Sequence, residues 1–295
     1  MNKFQKISTI NSLNLPKNIE DEIQSFSEEK IVFYQDDSQT EEETIGRIGN
    51  ADAVLGSWNS TITKKVLDAC PNIKYIGICG TSLTKVDVEE VKKHNIVLKN
   101  VTDYADEATA EFVFCQILNL YRGFGKYQLD TVPSELNNKI IGIIGLGAVG
   151  QQVARLALGF NMKVIYFSRT KNPEWESKGL VYQELDTLLS NSDVISISVP
   201  RNQKIIGPHE LSLIKPKAVL VNTAIGTIFD FPSLVDWIKK GQNFFILDNQ
   251  EYIDQVKDLP NVIATPVTAG KTKESGNRLT KKILDNLNTY FSSGL

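Results

Sequence analysis

The sequence predicts an α/β chain organised around two parallel sheets, and three observations lead there. Short apolar runs rich in β-branched residues alternate with amphipathic stretches of helical period along nearly the whole chain. The alternation breaks once, at a loop containing Pro133 and Asn137-Asn138. The length, 295 residues, is about twice that of a common domain.

Before that loop, strands are expected at 7–10, 31–34, 53–55, 75–78 and 96–98, a small parallel sheet. Helices lie between them, at 62–69, which stops before Pro71, and at 86–94, where Glu89, Glu90, Lys92 and Lys93 face water. His94 closes the second of these and reads as a solvated or dipole-paired imidazole. Residues 105–121 form one helix, with Ala108, Phe112, Cys115, Ile117, Leu118 and Tyr121 on its apolar face, and carry the chain from one domain to the next. The second block has strands at 140–144, 163–167, 194–198, 218–222, 245–248 and 262–264, the order of a doubly wound sheet. A last helix, 273–291, has apolar positions at Leu279, Ile283, Leu284, Leu287 and Tyr290.

Composition narrows the partners. Basic residues number 32 and acidic residues 35, a formal charge of −3, which disfavours nucleic acid or an anionic membrane surface. No apolar run reaches the roughly 18 residues of a membrane span, and the first ten residues lack the apolar core of a signal peptide, so a cytoplasmic protein is expected. Cys70, Cys79 and Cys115 lie far apart, without C-x-x-C spacing or a nearby histidine. They read as reduced, mostly buried apolar residues, and no metal site is expected. Histidines occur only at 94 and 209, which leaves an imidazole-centred mechanism few places.

Gly145-Leu146-Gly147-Ala148-Val149-Gly150 fits G-x-G-x-x-G, and its context gives the pattern meaning. An apolar strand runs directly into Gly145 and a helix continues from Gln151, so the amides of Ala148 and Val149 point at a pyrophosphate. Gly145 permits the turn, Gly147 lets the phosphates approach, and Gly150 packs helix on strand. The next strand ends in Ser168-Arg169-Thr170-Lys171, where an NAD enzyme usually has the carboxylate that receives the ribose 2′-hydroxyl. With no carboxylate to repel a phosphate, Arg169 pairs with a 2′-phosphate and Ser168 and Thr170 supply hydroxyls. NADP is therefore expected, with NAD as the other option and a solvated loop arginine as the plain alternative.

With these residues in view, the chain resembles the D-isomer-specific 2-hydroxyacid dehydrogenases over almost its whole length. Asp106-Glu107-Ala108-Thr109-Ala110-Glu111 looks like the start of the family's crossing helix, and Val199-Pro200 like the segment that covers the adenine. The run from Ile214-Lys215-Pro216 through Val221-Asn222-Thr223-Ala224 is similar to the family's K-P-G-A-x-x-V-N-T-A. Leu247-Asp248, Leu259-Pro260-Asn261-Val262 and Thr265-Pro266 follow in the family's order. The resemblance implies a Rossmann-type cofactor domain at 104–269, usually a homodimer, and a smaller flavodoxin-like substrate domain from 1–103 and 270–295. It also implies that Thr223 belongs to the cofactor site and that Asp248 holds the nicotinamide carboxamide.

The same resemblance exposes three departures. The family's carboxylate-binding arginine falls on Ile225, its proton-donating histidine on Val267, and its supporting glutamate on Ile253, unless Glu251 or Asp254 shifts into place. Losing charge-assisted hydrogen bonds removes roughly 1.5–3 kcal/mol each, and general acid catalysis contributes typically about 10²–10⁴-fold. An apolar site also makes an unpaired carboxylate expensive to desolvate. Reduction of simple 2-keto acids is thus not expected. Tyr104 and Lys271 are the candidate replacement acid–base groups; His209, at a helix start, reads as a surface or capping residue. Two functions remain: an NADP-dependent oxidoreductase acting on a neutral carbonyl, imine or activated alkene, or a non-catalytic NADP(H)-binding regulator or sensor.

Overall fold

The structure is a computed structural model that describes residues 3–249 and 251–292. The chain forms two compact units, Met1–Tyr104 with Lys273–Leu295, and Ala105–Thr272. The boundaries fall one residue beyond the expected 103 and three beyond the expected 269.

In the first unit, β1 (Ile7–Thr9), β2 (Ala53–Ser57), β3 (Tyr75–Cys79) and β4 (Val97–Asn100) pair in parallel in that order. Strand alternation sends Val54, Ile76 and Ile78 to one face, against Val66 and Leu67 of helix Lys64–Ala69. Ile7, Leu55 and Tyr75 go to the other, against Ile283, Leu287 and Tyr290 of helix Lys273–Ser292. The expected strand at 31–34 is not formed. The Thr9 hydroxyl donates to the Val32 carbonyl at 2.9 Å and accepts from the Tyr34 amide at 3.2 Å, so a side chain of β1 takes the place of ladder bonds. His94 caps helix Val88–Lys93, its Nδ1 2.9 Å from the Glu90 carbonyl and its Nε2 3.2 Å from Asp68, a structural role.

The second unit opens with helix Asp106–Arg122 and then alternates β5 (Ile140–Ile144), β6 (Lys163–Phe167), β7 (Val181–Tyr182), β8 (Val194–Ile197), β9 (Val219–Asn222), β10 (Phe244–Asp248) and β11 (Val262–Thr265) with helices. The seven strands are all parallel, in the order β11-β10-β9-β8-β5-β6-β7. This is the doubly wound order, whose switch point lies between β5 and β8. One face buries Ile141, Ile143, Val194, Val219, Val221 and Ile246, and the other Ile144, Ile195, Ile197, Leu220, Phe245 and Leu247. The face of helix Asp106–Arg122 differs from expectation. Ala110, Val113, Phe114, Ile117, Leu120 and Tyr121 are buried, Phe112 and Leu118 only partly, and Cys115 is exposed. Packing against helix Ala148–Gly159, with Phe114 stacked on Phe160 at 5.2 Å, selects that face over the one that sequence hydrophobicity suggests. Cys70 and Cys79 are buried, and burial pushes the Cys79 thiol up to about 12. Among the described residues no helix is long and apolar enough to cross a membrane, and no His, Cys, Asp or Glu group fits a metal ion.

Candidate dinucleotide site

Because every pair in the larger sheet is parallel, the carboxyl ends of its strands share one edge, and nearly all the candidate residues of this unit follow those ends. Gly145 comes after β5, Ser168 after β6, Ser198 and Val199 after β8, Thr223 after β9 and Val267 after β11, while Asp248 closes β10. In doubly wound sheets ligands bind outside this edge.

The glycine loop has three different physical requirements. Gly145 has φ +93°, and a Cβ there would lie 2.5 Å from the Ser198 carbonyl oxygen and 3.1 Å from a Val199 methyl. Only glycine both turns the chain and lets the segment after β8 approach. A Cβ on Gly150 would lie 2.1 Å from the Gly145 carbonyl oxygen, so Gly150 is needed for the loop to close on its own helix. A Cβ on Gly147 would meet nothing within 4 Å. Gly147 is also the N-cap of helix Ala148–Gly159, which no side chain caps, so the first-turn amides face open space. This cradle fits a pyrophosphate: bare amides, the positive end of a helix of 12 residues and no side chain in the way.

Next to it, the Gly145 amide donates to the Phe167 carbonyl at 2.8 Å, which ties the loop to the end of β6. The Ser168 hydroxyl donates to the Thr170 carbonyl and closes a tight turn. Arg169 and Thr170 are exposed, and among the described residues Arg169 forms no ion pair. The Lys171 ammonium sits 4.7 Å from the centre of the Tyr182 ring. Val199 is partly buried against the core and Pro200 is exposed, while the Thr223 hydroxyl lies 3.5 Å from the Ile197 carbonyl.

At the other end of the edge, Asp248 is buried at 3% exposure and its carboxylate is the acceptor for the following loop. Oδ1 takes hydrogen bonds from the Thr265 hydroxyl at 2.5 Å and the Thr268 amide at 2.7 Å, and Oδ2 takes one from the Ala269 amide at 2.8 Å. Asn249, fully buried, does the same for the loop after β9. Its amide group donates to the carbonyls of Ala224, at 2.9 Å, and Gly226, at 3.3 Å, on either side of Ile225. Ile225 and Val267 are both half-buried. Sequence reasoning did not single out Asn249 or Thr268, and it named Thr265 only as part of the family's Thr-Pro pair; the polar pair Asp248-Asn249 at the end of an otherwise apolar strand was the available signal.

Ile253 begins helix Ile253–Val256, Glu251 is exposed, and Asp254 is exposed and paired with Lys257 at 2.8 Å. Lys271 is exposed in the loop after β11. Tyr104 belongs to the first unit, where its ring packs on the cluster containing Phe4 and Tyr75 and its carbonyl accepts from Arg278 Nε at 2.8 Å. His209 lies exposed on helix Pro208–Leu213, 3.1 Å from Asp186, whose hydrogen bond and charge hold the imidazole pKa above its ordinary value.

The sheet and its glycine cradle define a Rossmann-type protein that binds a nicotinamide dinucleotide. The family model described as D-isomer specific 2-hydroxyacid dehydrogenase, NAD binding domain, matches residues 118–269. A glyoxylate reductase of Thermococcus litoralis is 30% identical over 267 residues, 82% of this chain and 81% of that protein. A solved acyclic imino acid reductase (Bsp5), in complex with NADPH and D-Arg, is 29% identical with a TM-score of 0.85, covering 97% of both chains. A D-lactate dehydrogenase from Aquifex aeolicus, complexed with NAD and lactic acid, is 26% identical with a TM-score of 0.80, over 97% of this chain and 95% of that one. The chain belongs to the D-isomer specific 2-hydroxyacid dehydrogenase family, and it is an oxidoreductase of that NAD-binding type.

Proposed function

We propose that this chain is an NADP-preferring reductase of C=N substrates, of the imino acid type, rather than a reductase of simple 2-keto acids. The observation that carries the reading is the occupancy of two loops at the carboxyl edge: Ile225 and Val267 stand where the family resemblance calls for an arginine and a histidine.

When bound, NADPH supplies a hydride. The amides of Ala148 and Val149 and the end of their helix would hold its pyrophosphate, and Arg169 its ribose phosphate, joined by Thr170 and by the Ser168 hydroxyl once that leaves the Thr170 carbonyl. Reduction of a ketone develops charge on oxygen, which a side chain must protonate or pair; neither Ile225 nor Val267 can do so. A protonated imine already carries that proton on nitrogen, and in an imino acid the iminium charge pairs with the substrate's own carboxylate, which a keto acid would leave unpaired beside Ile225. Hydride addition to its carbon neutralises it to an amine, and no side chain has to act as an acid. Apolar side chains at 225 and 267 then serve to exclude water from the reacting carbon. The likeness to the imino acid reductase bound to NADPH and D-Arg supports both the cofactor and the substrate class.

The chain is also proposed to act in the cytoplasm as a homodimer without nucleic-acid or membrane partners. Phe124 and Val132, 78% and 71% exposed, give the second unit apolar surface for a second copy. Light scattering at twice the mass of 32.9 kDa supports this, and a monomer at micromolar concentration refutes it. The activity itself is tested by NADPH oxidation against a panel of imines, neutral carbonyls and activated alkenes. Turnover on imines is the expected result. Tight NADPH binding with silence across the panel would replace this reading with that of a cofactor sensor.

A further inference from the structure

Val267 has φ +55°. Among the described residues the other non-glycine positions with positive φ hold Asn, Asp or one Lys, residues that tolerate this region, whereas a β-branched side chain there crowds its own backbone. Local preference therefore does not explain the conformation. What brackets Val267 is Asp248, whose carboxylate accepts from Thr265 on one side and from the amides of Thr268 and Ala269 on the other. Asp248 is itself fixed, because it pairs with Thr265 in the β10–β11 register.

We infer that Asp248 is a positioning residue that locks loop 265–269, holds Val267 in the left-handed region, and so determines which atoms residue 267 presents to the substrate. Both carboxylate oxygens accept from the loop, so Asp248 acts on residue 267 through it, while acceptor capacity remains on Oδ2 for the nicotinamide carboxamide that the family resemblance implies. The buried anion needs these donors as much as the loop needs the anion. This deepens the proposed function and rests on it only for the nature of the substrate.

The test is a double-mutant comparison of Asp248→Asn and Val267→Gly by thermal unfolding and amide hydrogen exchange. Glycine adopts φ +55° freely, so Val267→Gly should raise Tm by about 2 °C or more when Asp248 is present. In the Asp248→Asn background the loop has already relaxed, and the same substitution should give no rise. Equal rises in both backgrounds, or none in either, overturn the inference. Thr268 and Ala269 amides should exchange at least about tenfold faster in Asp248→Asn, with the amides of β5, β8 and β9 unchanged; unchanged loop exchange overturns it as well. Thr265→Val removes one donor, leaves the carboxylate in place, and should show the same pattern in weaker form should Asp248→Asn fail to fold. With NADPH as probe, the emission of the bound nicotinamide should shift in Thr265→Val as well as in Asp248→Asn. No shift in Thr265→Val, which keeps the carboxylate and loosens only the loop, would overturn action through the loop. Unfolding and exchange require no turnover, so a failure of imine reduction leaves this inference separately decided.

Discussion

Replacing Arg169 with alanine isolates the group proposed to recognise the ribose phosphate. Arg169 is exposed and free of ion pairs among the described residues, so its guanidinium breaks no existing bridge on binding. Of its neighbours, the Ser168 hydroxyl is already donated to the Thr170 carbonyl and the Lys171 ammonium lies over Tyr182, which leaves Arg169 as the main cationic donor. A charge-assisted hydrogen bond contributes about 1.5–3 kcal/mol, and exposure with salt screening places this one at the lower end. At about 1.4 kcal/mol per decade, Arg169→Ala should weaken NADPH binding about tenfold. NADH, which lacks the phosphate, should bind within about twofold of wild type. Titration by protein-to-nicotinamide energy transfer measures both, and raising the salt concentration should narrow the wild-type preference. Equal affinities of the wild type for the two cofactors, or equal losses for both in the variant, would refute the reasoning.

Three further outcomes follow from particular contacts. Gly147→Ala should leave Tm unchanged and weaken NADPH binding at least about tenfold, because its Cβ enters open space on the phosphate side; Gly150→Ala, 2.1 Å from the Gly145 carbonyl oxygen, should lower Tm outright. Iodoacetamide at pH 8 should add one label, at exposed Cys115, by intact mass, since burial raises the pKa values of Cys70 and Cys79; two or three labels on folded protein would contradict their burial. His209 has its folded pKa raised by Asp186 above the usual value near 6.5, so its contribution is complete below the unfolded pKa and is lost as pH rises through the folded one. His209→Ala should flatten that fall in Tm between about pH 6 and 8, and an unchanged slope would remove the pair from the stability of the surface.

Most of the fold was legible because its signals are local. The glycine loop, the strands around it and the last helix depend on neighbours a few residues away, and the periodicity of the chain records them. The failures have long-range causes. Residues 31–34 have strand composition, yet Thr9, more than twenty residues earlier in sequence, supplies the hydroxyl that displaces the ladder. Cys115 sits on a helix apolar on more than one side, and only the partner helix decides which side is buried. At the site, the residue types at 225 and 267 are plain in the sequence, but the left-handed conformation of Val267 and the clamps formed by Asp248 and Asn249 are not. Those bonds join residues roughly twenty positions apart, and no spacing rule announces them.

In the proposed function, Ile225 and Val267 move this dehydrogenase fold from carbonyl to imine reduction. The direct measurement follows NADPH oxidation with pyruvate, glyoxylate or hydroxypyruvate, each alone and again with an excess of methylamine at mildly alkaline pH, where the imine forms in solution. Negligible rates are expected with the keto acids alone, and turnover when amine is added, with the N-methyl amino acid as product. A robust rate with any keto acid in the absence of amine would contradict the proposed function.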